Sequence, residues 1–197
     1  GYVHGRMAGT AMKMVNMSLE AYVEKDEKKV DECIKCDDLV DELFSKVKED
    51  ISKMISEKTT CVDMALSYLM IAKYFERIGD HAADISEITI MMADKPYRCK
   101  LEKIEKMAKE TMIMLVQSIE SYVNKDIEKA KAVINHDDIV DGLFDEVKKA
   151  LIVAIKDDDE DGEQMADLLM VAKYLERIGD HATNISEWVI YSITGKR

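Results

Sequence analysis

Apolar residues recur along this chain at helical spacing, and the pattern runs through twice. Met7, Met14, Leu19 and Tyr22 fall on one side of a first helix expected from about Val3 to Glu24. Asp26 is placed as the N-cap of a second helix reaching about Glu57. A third is predicted from about Val62 to Ala93, and the cycle repeats at about 98–124, 127–156 and 163–193. The breaks fall at Ser56-Glu57-Lys58-Thr59-Thr60, at Asp94-Lys95-Pro96 and from Asp157 to Gly162. The middle break carries the only proline, so it divides the chain into halves 1–95 and 96–197.

The two halves are copies. Residues 71–87 read IAKYFERIGDHAADISE and residues 171–187 read VAKYLERIGDHATNISE. Asp37, Asp38, Val40, Asp41, Leu43, Phe44 and Val47 recur as Asp137, Asp138, Val140, Asp141, Leu143, Phe144 and Val147. Roughly a third of the aligned positions are identical, which marks a tandem duplication. Three long helices with short connections pack as an antiparallel bundle. The expected fold is therefore all-α: two antiparallel three-helix bundles in tandem, six helices in all.

On an ideal wheel Asp37 and Asp41 fall within about 40° of Val30, in the middle of the stripe formed with Ile34, Phe44 and Ile55. On the third helix Glu76 and Asp80 fall within about 60° of Ala65, among Leu69, Ala72, Gly79, Ala83 and Ile90. The small residues there admit a close neighbouring helix. Acids at i and i+4 repel even on an exposed helix, and a buried unpaired carboxylate either costs several kcal/mol or takes up a proton. The second half repeats the set as Asp137, Asp141, Glu176 and Asp180. A bound cation compensates such a cluster, and oxygen-only ligands favour hard metals: Mg²⁺, Ca²⁺, Mn²⁺ or iron. The competing reading is a solvated or salt-bridged acidic face, with Lys73, Lys173, Arg77 and Arg177 near in sequence. Arg77 points about 100° away from Glu76, so it is poorly aimed at the cluster.

Asp84, Asn184, Glu87 and Glu187 follow on the same helices and could add oxygens or orient the ligands. Asp38 and Asp138 reach the site only from its edge. His81 and His181 point sideways and read as structural histidines. Cys33-Ile34-Lys35-Cys36 has no second pair, and the repeat holds Val133 and His136 instead. Cys33 is expected in the core, with Cys36 incidental.

Composition narrows the function. The net charge is −12, from 28 basic and 40 acidic residues, which argues against nucleic acid and against an anionic membrane surface. Fourteen methionines, one proline and 6% aromatics suit a helical protein. The four cysteines show no repeated pairing and read as reduced thiols of a cytoplasmic protein. No apolar run approaches the ~18 residues of a membrane span, and no signal peptide is visible. The first residue is Gly and not Met, which leaves the chain open to being a piece of a longer protein. There is no Gly-rich phosphate loop, no G-x-S-x-G and no H-E-x-x-H, and the Glu-x-x-His of ferritin-type di-iron sites is absent.

At Glu76-Arg77-Ile78-Gly79-Asp80-His81 and Glu176-Arg177-Ile178-Gly179-Asp180-His181 the chain resembles the PhoU family, phosphate-uptake regulators built from two similar three-helix bundles. The resemblance covers nearly the whole chain. It implies metal clusters on the paired E(D)-x-x-x-D motifs, here Asp37/Asp41 with Glu76/Asp80 and Asp137/Asp141 with Glu176/Asp180. The ions implied are divalent or trivalent: iron, Mg, Mn or Zn. It further implies a cytoplasmic regulator without chemistry of its own; a homodimer is expected beside it, which fourteen methionines and exposed helix faces permit without demanding. Such a protein restrains the phosphate ABC transporter, through its ATPase, and phosphate-starvation signalling by a sensor histidine kinase. PhoU-like regulatory domains also occur fused to sodium–phosphate cotransporters, which is one alternative origin. A carboxylate-bridged metalloenzyme is another reading, although no separate nucleophile or general base stands beside the cluster. The chain departs from the family's usual Gln-Pro and Asp-Leu-Arg between helices two and three, where it has Glu57 to Met64 and Asp157 to Glu163.

Overall fold

A computed structural model describes residues 2–97, 102–157 and 162–196, the side chains of Tyr2 and Asp157 excepted. The described residues form six α-helices and no strand: α1 Tyr2–Glu24, α2 Glu27–Ser56, α3 Val62–Met92, α4 Glu102–Asn124, α5 Ile127–Asp157 and α6 Gly162–Thr194. Each expected helix is present with ends displaced by a residue or so. The start expected for the fourth, and the break after Asp157, fall partly outside the described residues, as does Cys99.

The turn from α1 to α2 uses two residues, Lys25 and Asp26. Lys25 adopts φ 54°, and the Asp26 N–H donates back to the Ala21 carbonyl at 3.2 Å. The same aspartate starts α2, its Oδ1 accepting from the Lys28 N–H at 3.0 Å. One residue therefore closes one helix and caps the next, as its place in the sequence predicts. The second half repeats the device: Lys125 has φ 51°, Asp126 N–H reaches Ser121 O at 3.0 Å, and Asp126 Oδ1 accepts from Lys129 N–H at 3.0 Å. A left-handed backbone disfavours a Cβ, so Lys125→Gly is expected to raise stability by up to about 1 kcal/mol. A lower melting temperature for that variant would contradict this account of the turn.

Helices α1–α3 pack together and α4–α6 pack together, while α3 and α6 lie against each other between them. Cross-contacts give their direction. Asp63 meets Tyr191, Tyr74 meets His181, and His81 meets Tyr174, so α6 runs antiparallel to α3. Phe75 is fully buried on α3 and sets its edge against Tyr122 of α4, ring centroids 6.4 Å apart. The link after α3 is fastened at both sides. Tyr97 Oη donates to Tyr22 O at 2.6 Å at the end of α1, and Pro96 O accepts from Gln164 Nε2 at 3.1 Å on α6.

The inward stripe of α2 differs from the expected one. Its buried positions are Val30, Cys33, Val40, Leu43, Val47 and Ile51. Ile34 and Ile55 are exposed, and so is Ile90 on α3. A wheel centred on Val30 takes an edge of the buried arc for its middle. Asp37 and Asp41 therefore sit on the rim of the apolar stripe. Glu76 and Asp80 likewise flank the buried Phe75, Ile78, Gly79 and Ala82 of α3. Cys33 is in the core as expected, donating to Met14 O at 3.4 Å, with burial pushing its thiol up to about 11.

Candidate metal centres flanking the bundle seam

Asp37 and Asp41 stand one turn apart on α2, which puts both carboxylates on one side of the helix. Asp80 of α3 faces them. One oxygen from each of the three lies within 4.8 Å of the others, and Asp137, Asp141 and Asp180 form the same group in the second bundle. The glycine before each third aspartate stands where the neighbouring helices come close. A Cβ on Gly79 would lie 3.3 Å from Met14 Sδ. On Gly179 it would lie 3.5 Å from both Met114 Sδ and Val140 Cγ1, and 3.8 Å from Asp137 Oδ1. Only the Gly79 contact is tighter than ordinary packing, and it is with a flexible methionine side chain; at Gly179 a Cβ would make ordinary van der Waals contacts.

The electrostatics of both groups are those of carboxylates crowded out of water. Burial, then the charges of Asp80 and Asp41, push Asp37 up to about 7. Burial, then Glu76, push Asp80 up to about 7. In the second bundle burial and Asp141 push Asp137 up to about 6, while burial and Asp137 push Asp180 up to about 7. Asp41 and Asp141 are raised as well, chiefly by burial. Among the described residues, Oδ1 of Asp37 and Oδ1 of Asp137 are buried with no hydrogen-bond partner. A buried acceptor left unmet is costly, and a cation would satisfy it. The oxygen-only donor set suits hard ions.

The remaining expected residues divide. Glu76 stands beside Asp80 and raises it. Glu176 instead holds Lys173 Nζ at 2.6 Å, so the salt-bridged reading applies to that one residue. Lys173 is three residues away on the same helix and reaches it without crossing the bundle. Asp84 does not turn to the cluster; its Oδ2 lies 3.4 Å from His81 Nδ1. Glu87 and Glu187 are not among the converging groups.

The histidines show what sequence reasoning missed. His81 and His181 meet across the bundle boundary, Nε2 to Nε2 at 3.1 Å. Their planes are parallel and the centroids stand 5.2 Å apart, farther than the nitrogens, so the rings meet through their edges. Tyr174 packs on His81 and Tyr74 on His181, at 5.5 and 5.6 Å. Burial lowers His81, and burial with the His81 charge lowers His181 to about 4. Burial thus favours the neutral form of each ring, and two neutral imidazoles at this distance share one N–H···N hydrogen bond. The signal was present in the motif, since both histidines follow the duplicated aspartate, but only the antiparallel crossing brings them together.

The PhoU domain of the family models matches twice, over residues 5–89 and 104–189. The chain belongs to the PhoU family. A Clostridium acetobutylicum protein named phosphate-specific transport system accessory protein PhoU homolog is 31% identical over 196 residues, covering 98% of this chain and 90% of its own. A homologue from Methanothermobacter thermautotrophicus, also named for the phosphate-specific transport system, is 28% identical over 187 residues, 93% of this chain and 85% of its own. The crystal structure of PhoU from Pseudomonas aeruginosa superposes with a TM-score of 0.95 over 99% of this chain and 95% of that one, at 21% identity. The phosphate transport system regulatory protein PhoU from Streptococcus pneumoniae gives 0.90 over 99% and 93%, also at 21% identity. These PhoU structures share the six-helix fold. No helix among the described residues is long and apolar enough to cross a membrane.

Proposed function

We propose that this protein is a metal-binding accessory regulator of phosphate uptake, working in the cytoplasm and without chemistry of its own. The observation that carries the reading is the pair of three-aspartate groups, one in each repeat, with a buried unpartnered oxygen in each. The relatives' names, which tie them to phosphate-specific transport, supply the process. The ions, iron, Mg, Mn or Zn, would sit on Asp37, Asp41 and Asp80 and on Asp137, Asp141 and Asp180, with Glu76 and Glu176 beside them. Their charge would replace crowded negative groups by a face able to receive a partner's acidic surface. The partners fitting this role are the ATPase of the phosphate ABC transporter and a sensor histidine kinase, met by a homodimer of this chain.

Elemental mass spectrometry of the purified protein, before and after chelation, tests the metal reading together with thermal melting. More than one ion per chain is expected, lost on chelation along with several degrees of stability. Protein without metal that melts unchanged on adding any of these ions would move the aspartates to a partner-binding face. Partner capture by the transporter ATPase, weakened in chelator, tests the regulatory half independently.

A further inference from the structure

The duplication relates the halves by a pseudo-two-fold axis through the α3–α6 crossing, where His81 meets His181 and each packs on the other helix's tyrosine. The same rotation carries one end of the molecule onto the other, and the two ends differ. At the first, the link after α3 fills the space. The Tyr97 ring packs on Tyr22, centroids 5.4 Å apart, and its Oη donates to Tyr22 O. Lys25 Nζ stands 4.2 Å from the centroid of the Tyr97 ring and donates to Lys95 O, while Gln164 holds Pro96 O.

At the second end, the counterparts of these residues line a cavity of about 460 Å³ that stands open among the described residues. Tyr122 and Lys125 take the places of Tyr22 and Lys25, and Met64 takes that of Gln164. Tyr68 and Val189 add to the wall, and Gly5 leaves the mouth bare. The wall is preformed. Buried His4 packs on Tyr68 and Tyr122 at 5.5 and 5.9 Å, and its Nε2 donates to Tyr68 O at 2.8 Å. A ring to stack on and a cation to cover it both favour an aromatic guest. We infer that this socket receives a non-helical segment of a partner protein carrying a tyrosine, whose ring stacks on Tyr122 under Lys125 as Tyr97 stacks on Tyr22. Tyr97 is itself held in the first socket, in this chain and in any second copy, so the guest belongs to a different protein. Met64 cannot donate to a carbonyl as Gln164 does, so the guest has one main-chain anchor fewer and is held chiefly by its ring. Untethered, it comes and goes where Tyr97 stays. Met64 and Tyr68 lie at least about 18 Å along α3 from Asp80, so the socket stands apart from the metal reading.

The test titrates the full chain, carrying methyl-labelled methionine, with the capped peptide Asp-Lys-Pro-Tyr, the sequence of residues 94–97. Asp-Lys-Pro-Ala is the control. The Met64 methyl resonance is expected to shift with the tyrosine peptide, half-saturating at about millimolar concentration, and to stay in place with the alanine peptide. Met92, counterpart of the cavity-lining Ser192, should not move, because its socket is filled. Lys125→Gly should weaken binding about threefold without lowering the melting temperature. Gly5→Phe should abolish binding and leave the fold intact, since a Cβ there meets nothing within 4 Å. Chelation should change none of this, so failure of the metal reading and failure of the socket are separate outcomes. An unmoved Met64 methyl at about ten millimolar peptide overturns the socket. So do equal shifts with both peptides, or binding that survives Gly5→Phe. A Met64 shift that grows with protein concentration alone, and vanishes in Gly5→Phe, makes the occupant a second copy and overturns the assignment to a different protein.

Discussion

Asp37→Asn/Asp80→Asn is expected to raise the melting temperature of the chelated protein at pH 8 while abolishing metal uptake in the first bundle. Both carboxyls titrate near 7 in the folded chain, chiefly through burial, against about 3.9 in an unfolded one. A raised folded value means that the protonated form is the one the fold prefers. Its stabilisation is complete below pH about 4 and is lost as pH climbs to about 7. Above that the native state holds charged, crowded aspartates that the unfolded chain would solvate freely. Amides of the same shape remove that charge. Each kcal/mol regained moves the midpoint by about 2–4 °C in a protein of this size. The wild type should therefore lose stability between pH 4 and 7 in chelator, and the double variant should lose less. Equal pH profiles for the two proteins would refute this electrostatic account, and undiminished metal content would refute the assignment of ligands. Stabilisation of the bare fold together with loss of binding is what a site held against its own repulsion predicts.

Phe75→Ala should be the most damaging single change in the core. The side chain is fully buried on α3 and meets Tyr122 of α4, so it fills space shared by both bundles. Truncating a buried phenylalanine costs about 3–5 kcal/mol. That corresponds to a midpoint lowered by roughly 6–20 °C. The transition should remain single, because the cavity opens at the contact between halves and loosens them together. Calorimetry that resolved two transitions, only one of them shifted, would show that this contact does not couple the bundles.

Much of this was legible in the chain. Helices longer than twenty residues carry enough apolar repeats to be read without tertiary information, and Asp26 is a cap wherever its neighbours lie. The duplication identified the paired aspartates, since an acid recurring in register inside an apolar pattern is costly and thus informative. Their exact depth was not legible. Val30 looks central on a wheel, but the positions of α1 and α3 decide which arc of α2 is covered, leaving Ile34 outside and the aspartates on the rim. Glu176 could not be resolved between cluster and Lys173, because one rotamer decides it. The histidine pair needs the register of α6 against α3, and nothing local encodes that register. The duplicated motif supplies the residues for the seam, and the crossing supplies their meeting.

The contact between α3 and α6 also carries a record of descent. His81 touches its own counterpart, and Tyr74 and Tyr174 exchange places across the axis, so the surface is self-complementary. That is the property of an isologous dimer interface, in which one patch recognises itself. A half-length ancestor bearing one copy of this helix would have paired with a twin through the same residues. Fusing the two genes made that association independent of concentration. It also freed each half to diverge, as Asp84 and Asn184, or Cys36 and His136, have done. An asymmetric pair of binding faces, impossible for identical subunits related by an exact axis, became available to a single polypeptide.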